Sequence, residues 1–90
     1  MAVTVKIPTQ LRSATDGAAH TSVDGATVGE VLDALCARFD GLEDRIREGG
    51  EVRRFVNVYV GGEDIRFLDG LGTPVADGGE VTILPAVAGG

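Results

Sequence analysis

Tryptophan is absent from this 90-residue chain, and cysteine, histidine and lysine occur once each. The lone Cys36 excludes an internal disulfide and a cysteine-based zinc site. One histidine, His20, beside scattered carboxylates makes no metal site. Aromatic residues are only 4% of the chain, so the core must be built from Val, Ile and Leu. Basic residues number 8 against 14 acidic ones, for a net charge of −6. With Lys6 the only lysine and the arginines scattered, no basic face is available for nucleic acid. The opening "MAVTVKIP" has no basic start followed by a long apolar run, and no stretch is long and apolar enough to span a bilayer. The expected compartment is the cytoplasm, with neither membrane nor nucleic acid as a partner.

What remains is a small globular domain with an ordinary 43% of hydrophobic residues. "VTVKI" alternates, with Val3, Val5 and Ile7 on one face and Thr4 and Lys6 on the other, as a half-buried strand does. Pro8 ends it. "ATDG" reads as a turn, and "HTSVD" returns as a second strand. "ATVGEVLDALCARFDG" is the clearest helix. Thr27 is its N-cap, with Glu30 three residues on as a capping box. Val28, Val31, Leu32, Leu35, Cys36 and Phe39 form one apolar stripe, and Gly41 is placed to stop the helix. "LEDRIRE" predicts a short second helix, with Leu42 and Ile46 on one face and Glu43 paired to Arg47.

"RFVNVYV" alternates again, "GG" at Gly61 and Gly62 permits a tight hairpin turn, and "EDIRF" follows as a short strand. After the turn-rich "LGTPVADGG" comes the last strand, "EVTIL". The order is β-β-α-β-β-β. One amphipathic helix and the valine faces of the strands bury each other in an α+β fold: a mixed sheet of about five strands wrapped on one main helix. This is the β-grasp arrangement of ubiquitin. Residues 1–85 form the domain, and residues 86–90 a flexible tail.

The sheet face away from the helix would display Thr4, Lys6, Phe55, Asn57, Tyr59, Thr82 and Leu84. Phe55, Tyr59 and Leu84 are more apolar than a solvated face requires, so Phe55, Asn57, Tyr59, Thr82 and Leu84 form a candidate docking face for a partner. The tail Ala86, Val87, Ala88, Gly89 and Gly90 is uncharged up to the terminal carboxylate. Extended, five residues reach about 15 Å, and the two glycines keep the end narrow. A carboxylate on such a stalk fits a slot in another protein. It is a poor electrophile and reacts only after activation, which ATP supplies by forming an acyl-adenylate.

"RFVNVYVGGEDIRFLDGLGTPVADGGEVTILPAVAGG", and above all "DGGEVTILPAVAGG", resembles the ubiquitin-like sulfur carrier proteins of the MoaD and ThiS family, nearly throughout. The resemblance implies a β-grasp fold and no catalytic residue of its own. It implies that the Gly90 carboxylate is adenylated by an E1-like activating enzyme that uses ATP. The adenylate becomes a thiocarboxylate, whose sulfur passes to a biosynthetic enzyme. Gly89, Ala88, Val87 and Ala86 give access. No cofactor is expected to be bound. The branch it is most similar to implies cysteine formation; relatives in the family serve other sulfur-containing metabolites and cofactors. A ubiquitin-like modifier joined through Gly90 to lysines is the alternative, since both fates begin with the same adenylate.

Other residues read more plainly. Cys36, on the apolar stripe, is expected to pack in the core rather than relay sulfur. Arg53, Arg54 and Arg66 are expected to be ordinary surface charges. A free-standing enzyme is not expected, since the chain lacks a credible acid–base pair and has little room for a pocket.

Overall fold

The computed structural model describes residues 2–48, 51–53 and 56–85. β1 (Ala2–Lys6) pairs antiparallel with β2 (His20–Asp24), and β1 also runs parallel to β7 (Glu80–Pro85). β7 pairs antiparallel with β5 (Val56–Val60), which pairs in turn with the short β6 (Glu63–Asp64). The mixed sheet therefore has the order β2-β1-β7-β5-β6. α1 (Val28–Arg38) covers one face. α2 (Glu43–Ile46) follows it and leads into a two-stranded ribbon, β3 (Arg47–Glu48) with β4 (Glu51–Val52).

The alternation read from the sequence sets the faces. Val3, Val5, Val56, Val58, Val81 and Ile83 point inward and are at most 5% exposed. Val28, Val31, Leu32 and Leu35 of α1 meet them, fully buried. Each such aliphatic side chain contributes about 1.5–3 kcal/mol on leaving water, before the entropy of ordering is set against it. Leu42 and Ile46 share the core as their spacing predicts, and the Glu43–Arg47 pair forms.

Thr27 caps α1: its Oγ1 accepts a hydrogen bond from the Glu30 amide at 3.3 Å. The return bond is displaced by one residue, with the Ala26 amide donating to Glu30 Oε1 at 2.9 Å. The helix entrance is also tied to the chain after β6. The Val28 amide donates to the Thr73 carbonyl, and the Val75 amide to the Ala26 carbonyl, both at 2.9 Å.

Four expectations are corrected. β1 and β2 do pair, and Asp16 and Gly17 do turn with positive φ, but a 3-10 helix, Thr9–Thr15, fills most of the connection. Its buried Leu11 anchors it to the core, a signal too short to show as periodicity. α1 ends at Arg38, with Phe39 extended, rather than at Gly41. Phe39 leaves the helix and packs against the core's edge under the Arg38 guanidinium. Cys36 is only half-buried, lying beside Glu43 and Arg47 rather than in the core. "EDIRF" pairs only at Glu63 and Asp64. Ile65–Phe67 is then a 3-10 turn, because Ile65 drops into the core and takes the chain off the sheet edge.

Candidate functional site

β7 carries the tail, so its surroundings define the site. It is the central strand, held by β1 on one side and β5 on the other. Pairing with β5 continues to Pro85, opposite Val56. Val81 and Ile83 are fully buried beneath it. β1 pairs with β7 only as far as Thr82, so the end of the strand is held by the β5 ladder and by the packing of Ile83 below.

The strand registers place four of the candidate docking residues, Asn57, Tyr59, Thr82 and Leu84, together on the outer face. Asn57 is opposite Leu84, and Tyr59 opposite Thr82. Thr82 is also aligned with Lys6, and Lys6 with His20. His20, Lys6, Thr82 and Tyr59 therefore make one row across four strands, with Asp64 at its far end. Lys6 pairs loosely with Glu80 at 3.5 Å, both half-exposed. Asn57, Tyr59 and Thr82 are half-buried, while Leu84 is 45% exposed directly above the tail's root. Phe55 and the tail residues Ala86, Val87, Ala88, Gly89 and Gly90 lie outside the described residues.

Arg66 is a residue that sequence reasoning assigned to ordinary surface charge. Its guanidinium donates to Asn57 Oδ1 at 2.7 Å and to the Val56 carbonyl at 2.9 Å, and lies 3.7 Å from Asp64 Oδ2. β6 is too short to cover this part of β5. Arg66 stands in for the missing strand, satisfying an edge carbonyl and fixing the Asn57 carboxamide. The alternation of "RFVNVYV" predicted where Asn57 points but gave no sign of what holds it.

Cys36 and His20 are on opposite sides of the sheet, the thiol on the helix side and the imidazole on the outer face. No Cys–His pair forms. The Cys36 thiol is pushed up to about 12, chiefly by burial, then by the hydrogen bond and charge of Glu43. Glu43 is held below the usual carboxylate range, first by Cys36 and then by Arg47, and Arg47 binds both Glu43 (2.7 Å) and Asp33 (2.5 Å). A thiol so protonated is a poor nucleophile. Among the described residues no group of three or more His, Cys, Asp or Glu could hold a metal ion, and no helix is long and apolar enough to cross a membrane.

A mixed five-stranded sheet grasping one long helix is the ubiquitin-like β-grasp fold. The chain belongs to the ThiS family, whose model matches residues 5–90. Across 93 aligned positions, covering all of both chains, it is 50% identical to the sulfur carrier protein CysO of Mycobacterium tuberculosis. It is 49% identical over 67 residues to small archaeal modifier protein 3 of Haloferax volcanii, covering 74% of this chain and 73% of that one. Among solved structures, a chain of the Amycolatopsis orientalis BexX/CysO complex superposes with a TM-score of 0.92 at 49% identity, covering 98% of this chain and 99% of that chain.

Proposed function

We propose that this protein is a sulfur carrier that holds sulfur as a thiocarboxylate on Gly90. The observation that carries the reading is the 50% identity to a sulfur carrier over the full length of both chains. The geometry supports it: a central strand, fixed on both sides, leads directly into "AVAGG". In the reaction, a carboxylate oxygen of Gly90 attacks the α-phosphorus of ATP. Pyrophosphate leaves and an acyl-adenylate forms. A sulfur nucleophile from the activating system then displaces AMP. ATP is a substrate of the E1-like enzyme and is not held by the carrier.

The carrier's own contribution is placement. The outer face around Leu84, Tyr59, Asn57 and Thr82 gives the activating enzyme a surface that fixes where the tail enters. Binding remote from the reacting atoms thereby lowers the barrier at Gly90. A second enzyme consumes the thiocarboxylate, making cysteine or another sulfur-containing product. The carrier performs no catalysis, and the cytoplasm, where ATP and reduced sulfur occur together, suits the role.

A second reading is favoured by the likeness to small archaeal modifier protein 3. The same adenylate could acylate lysines of other proteins.

One experiment separates the two. A Cys36→Ser variant is incubated with the E1-like enzyme, ATP and a sulfur donor, treated with a thiol-directed alkylating agent and fragmented in a mass spectrometer. The expected result is label on Gly90. Absence of label, with Gly90 found instead on lysines of added protein, would replace the carrier with a modifier. Neither product would defeat both readings.

A further inference from the structure

The sheet edge at β6 carries a feature that tail activation does not use. Phe67 is one of three phenylalanines in the chain, and it is 87% exposed. Leu68 beside it is 38% exposed. A solvated phenylalanine on a loose loop would be unremarkable, but this one sits on a hydrogen-bonded, core-anchored turn. Ile65 pins the turn into the core at 4% exposure. Asp64 Oδ1 accepts from the Arg66 amide at 2.8 Å, and the Leu68 amide donates to the Ile65 carbonyl at 3.0 Å. On the far side the Asp69 amide donates to Thr73 Oγ1 at 3.0 Å, and Thr73 is itself buried. An aromatic ring presented on a pre-ordered turn gives binding area at little entropic cost, which is the character of an interface anchor.

The charge around it defines what would cover it. Glu63 and Asp69 are exposed on either side of the turn. The one cation of the segment, Arg66, is engaged with Asn57, Val56 and Asp64. Beside the turn a cleft of about 260 Å³ has Val56, Val58, Ile65, Leu71 and Arg66 in its wall, with Glu51 exposed along it and the Asp64 carboxylate, 14% exposed, turned to Arg66. Apolar surface flanked by the exposed carboxylates of Glu51, Glu63 and Asp69, on a chain of net charge −6, complements an apolar pocket rimmed by Arg or Lys.

The edge is also continuous with the tail's root. Leu84 faces Asn57, and Arg66 binds Asn57, so the path from tail to Phe67 crosses only two strands. A partner seated on Leu84 and Asn57 is thereby adjacent to the turn that carries Phe67. Carrier and modifier alike require the activating enzyme, so it is the partner assigned here.

We infer that Phe67 is the anchor of a second docking element, at the β6 edge, which inserts into a basic-rimmed apolar pocket of the activating enzyme. This rests on the activation of Gly90 proposed above. The test measures binding of the E1-like enzyme from the same organism by calorimetry without ATP, and measures loading of Gly90 separately. Phe67→Ser should weaken binding by roughly tenfold or more, with an unchanged circular dichroism spectrum. Glu63→Lys combined with Asp69→Lys should weaken binding and flatten its dependence on salt. Phe67→Ser binding within about twofold of the parent, or a charge-reversed variant binding as well as the parent, would overturn the anchor while leaving Gly90 activation intact. Failure of the parent protein to load, with the Phe67 effect on binding still present, would instead defeat the activation reading alone.

Discussion

Leu84 stands directly across from Asn57 in the β5–β7 ladder, one residue before the last described position of the chain. The two side chains share the outer face but differ in support. The Asn57 carboxamide is held by Arg66 at 2.7 Å, whereas Leu84 is 45% exposed. On the function proposed above, this pairing of a fixed polar group with an exposed apolar one is where a partner would close on the protein.

Leu84→Asp should therefore separate docking from folding. The side chain contributes little to the core, so urea unfolding should shift by less than about 1 kcal/mol. Affinity for the activating enzyme should fall roughly tenfold, because a carboxylate would enter an apolar contact unpaired. Unchanged affinity in the folded variant would remove this face from the docking surface.

Cys36 should be unreactive. With its thiol raised to about 12, the thiolate is scarce near neutral pH. Iodoacetamide at pH 8 should label the folded protein at least about 100-fold more slowly than the urea-unfolded chain, whose cysteine has its ordinary pKa near 8.5. Glu43→Gln removes the neighbouring negative charge but not the burial, so its folded rate should fall between the two. Equal rates in folded and unfolded protein would contradict the arrangement around Cys36. The inert thiol also predicts that Cys36→Ser loads sulfur as well as the parent.

Glu43 makes stability depend on pH through Arg47. Its folded pKa is depressed, by the Cys36 hydrogen bond first and the Arg47 guanidinium second, so the ionised form favours the folded state. That contribution is whole above the ordinary glutamate value, fades as pH falls through the folded value, and is gone below it. Arg47→Met should lower the urea midpoint at pH 7 and lower it progressively less as pH falls below the ordinary glutamate value and through the depressed folded one, under which Glu43 is protonated in both proteins. A difference that stays constant down to pH 3 would place the effect of Arg47 in packing alone.

Gly25 is required for space rather than for backbone freedom. A Cβ there would come within 2.8 Å of both the Val31 amide nitrogen and its Cγ2. Val31 is fully buried and cannot retreat. Gly25→Ala should cost about 1–3 kcal/mol, read as a lower thermal midpoint. Gly41→Ala, where nothing lies within 4 Å, should be nearly neutral.

These residues also show how far a sequence can be read. Strands announce themselves by strict alternation, and every inward valine of β1, β5 and β7 was legible because burial demands a period of two. α1 was legible from its stripe and its Thr27–Glu30 cap. The misses share a cause. The 3-10 segments at Thr9–Thr15 and Ile65–Phe67 are too short for periodicity, and each is positioned by a single apolar residue, Leu11 or Ile65, dropping into a core made elsewhere. Cys36 fell on the apolar stripe by spacing, yet the neighbour it meets, Glu43, comes from the next helix, which no local pattern predicts. Within the candidate site, the face of Asn57, Tyr59, Thr82 and Leu84 followed from alternation. The Arg66 clamp did not, since it depends on where β6 ends.

The last prediction concerns the tail. Among the described residues every core side chain lies at or before Ile83, so removing Gly89 and Gly90 takes nothing from that core. Unfolding of the shortened chain should match that of the parent within about 0.5 kcal/mol. Its new terminus, Ala88, would stop about two residues, or roughly 7 Å, short of the position Gly90 reaches. Adenylation needs the carboxylate in line with the α-phosphorus, and a displacement of that size leaves no attack geometry. Loading should be lost entirely while affinity for the activating enzyme falls far less. Gly89→Val distinguishes reach from width: the length is kept, but a branched side chain must pass the slot. If only reach matters, this variant should load normally. If the enzyme selects a narrow chain, loading should drop at least about tenfold with binding little changed, and a shortened chain that still formed a thiocarboxylate would show that the tail is not the reacting group.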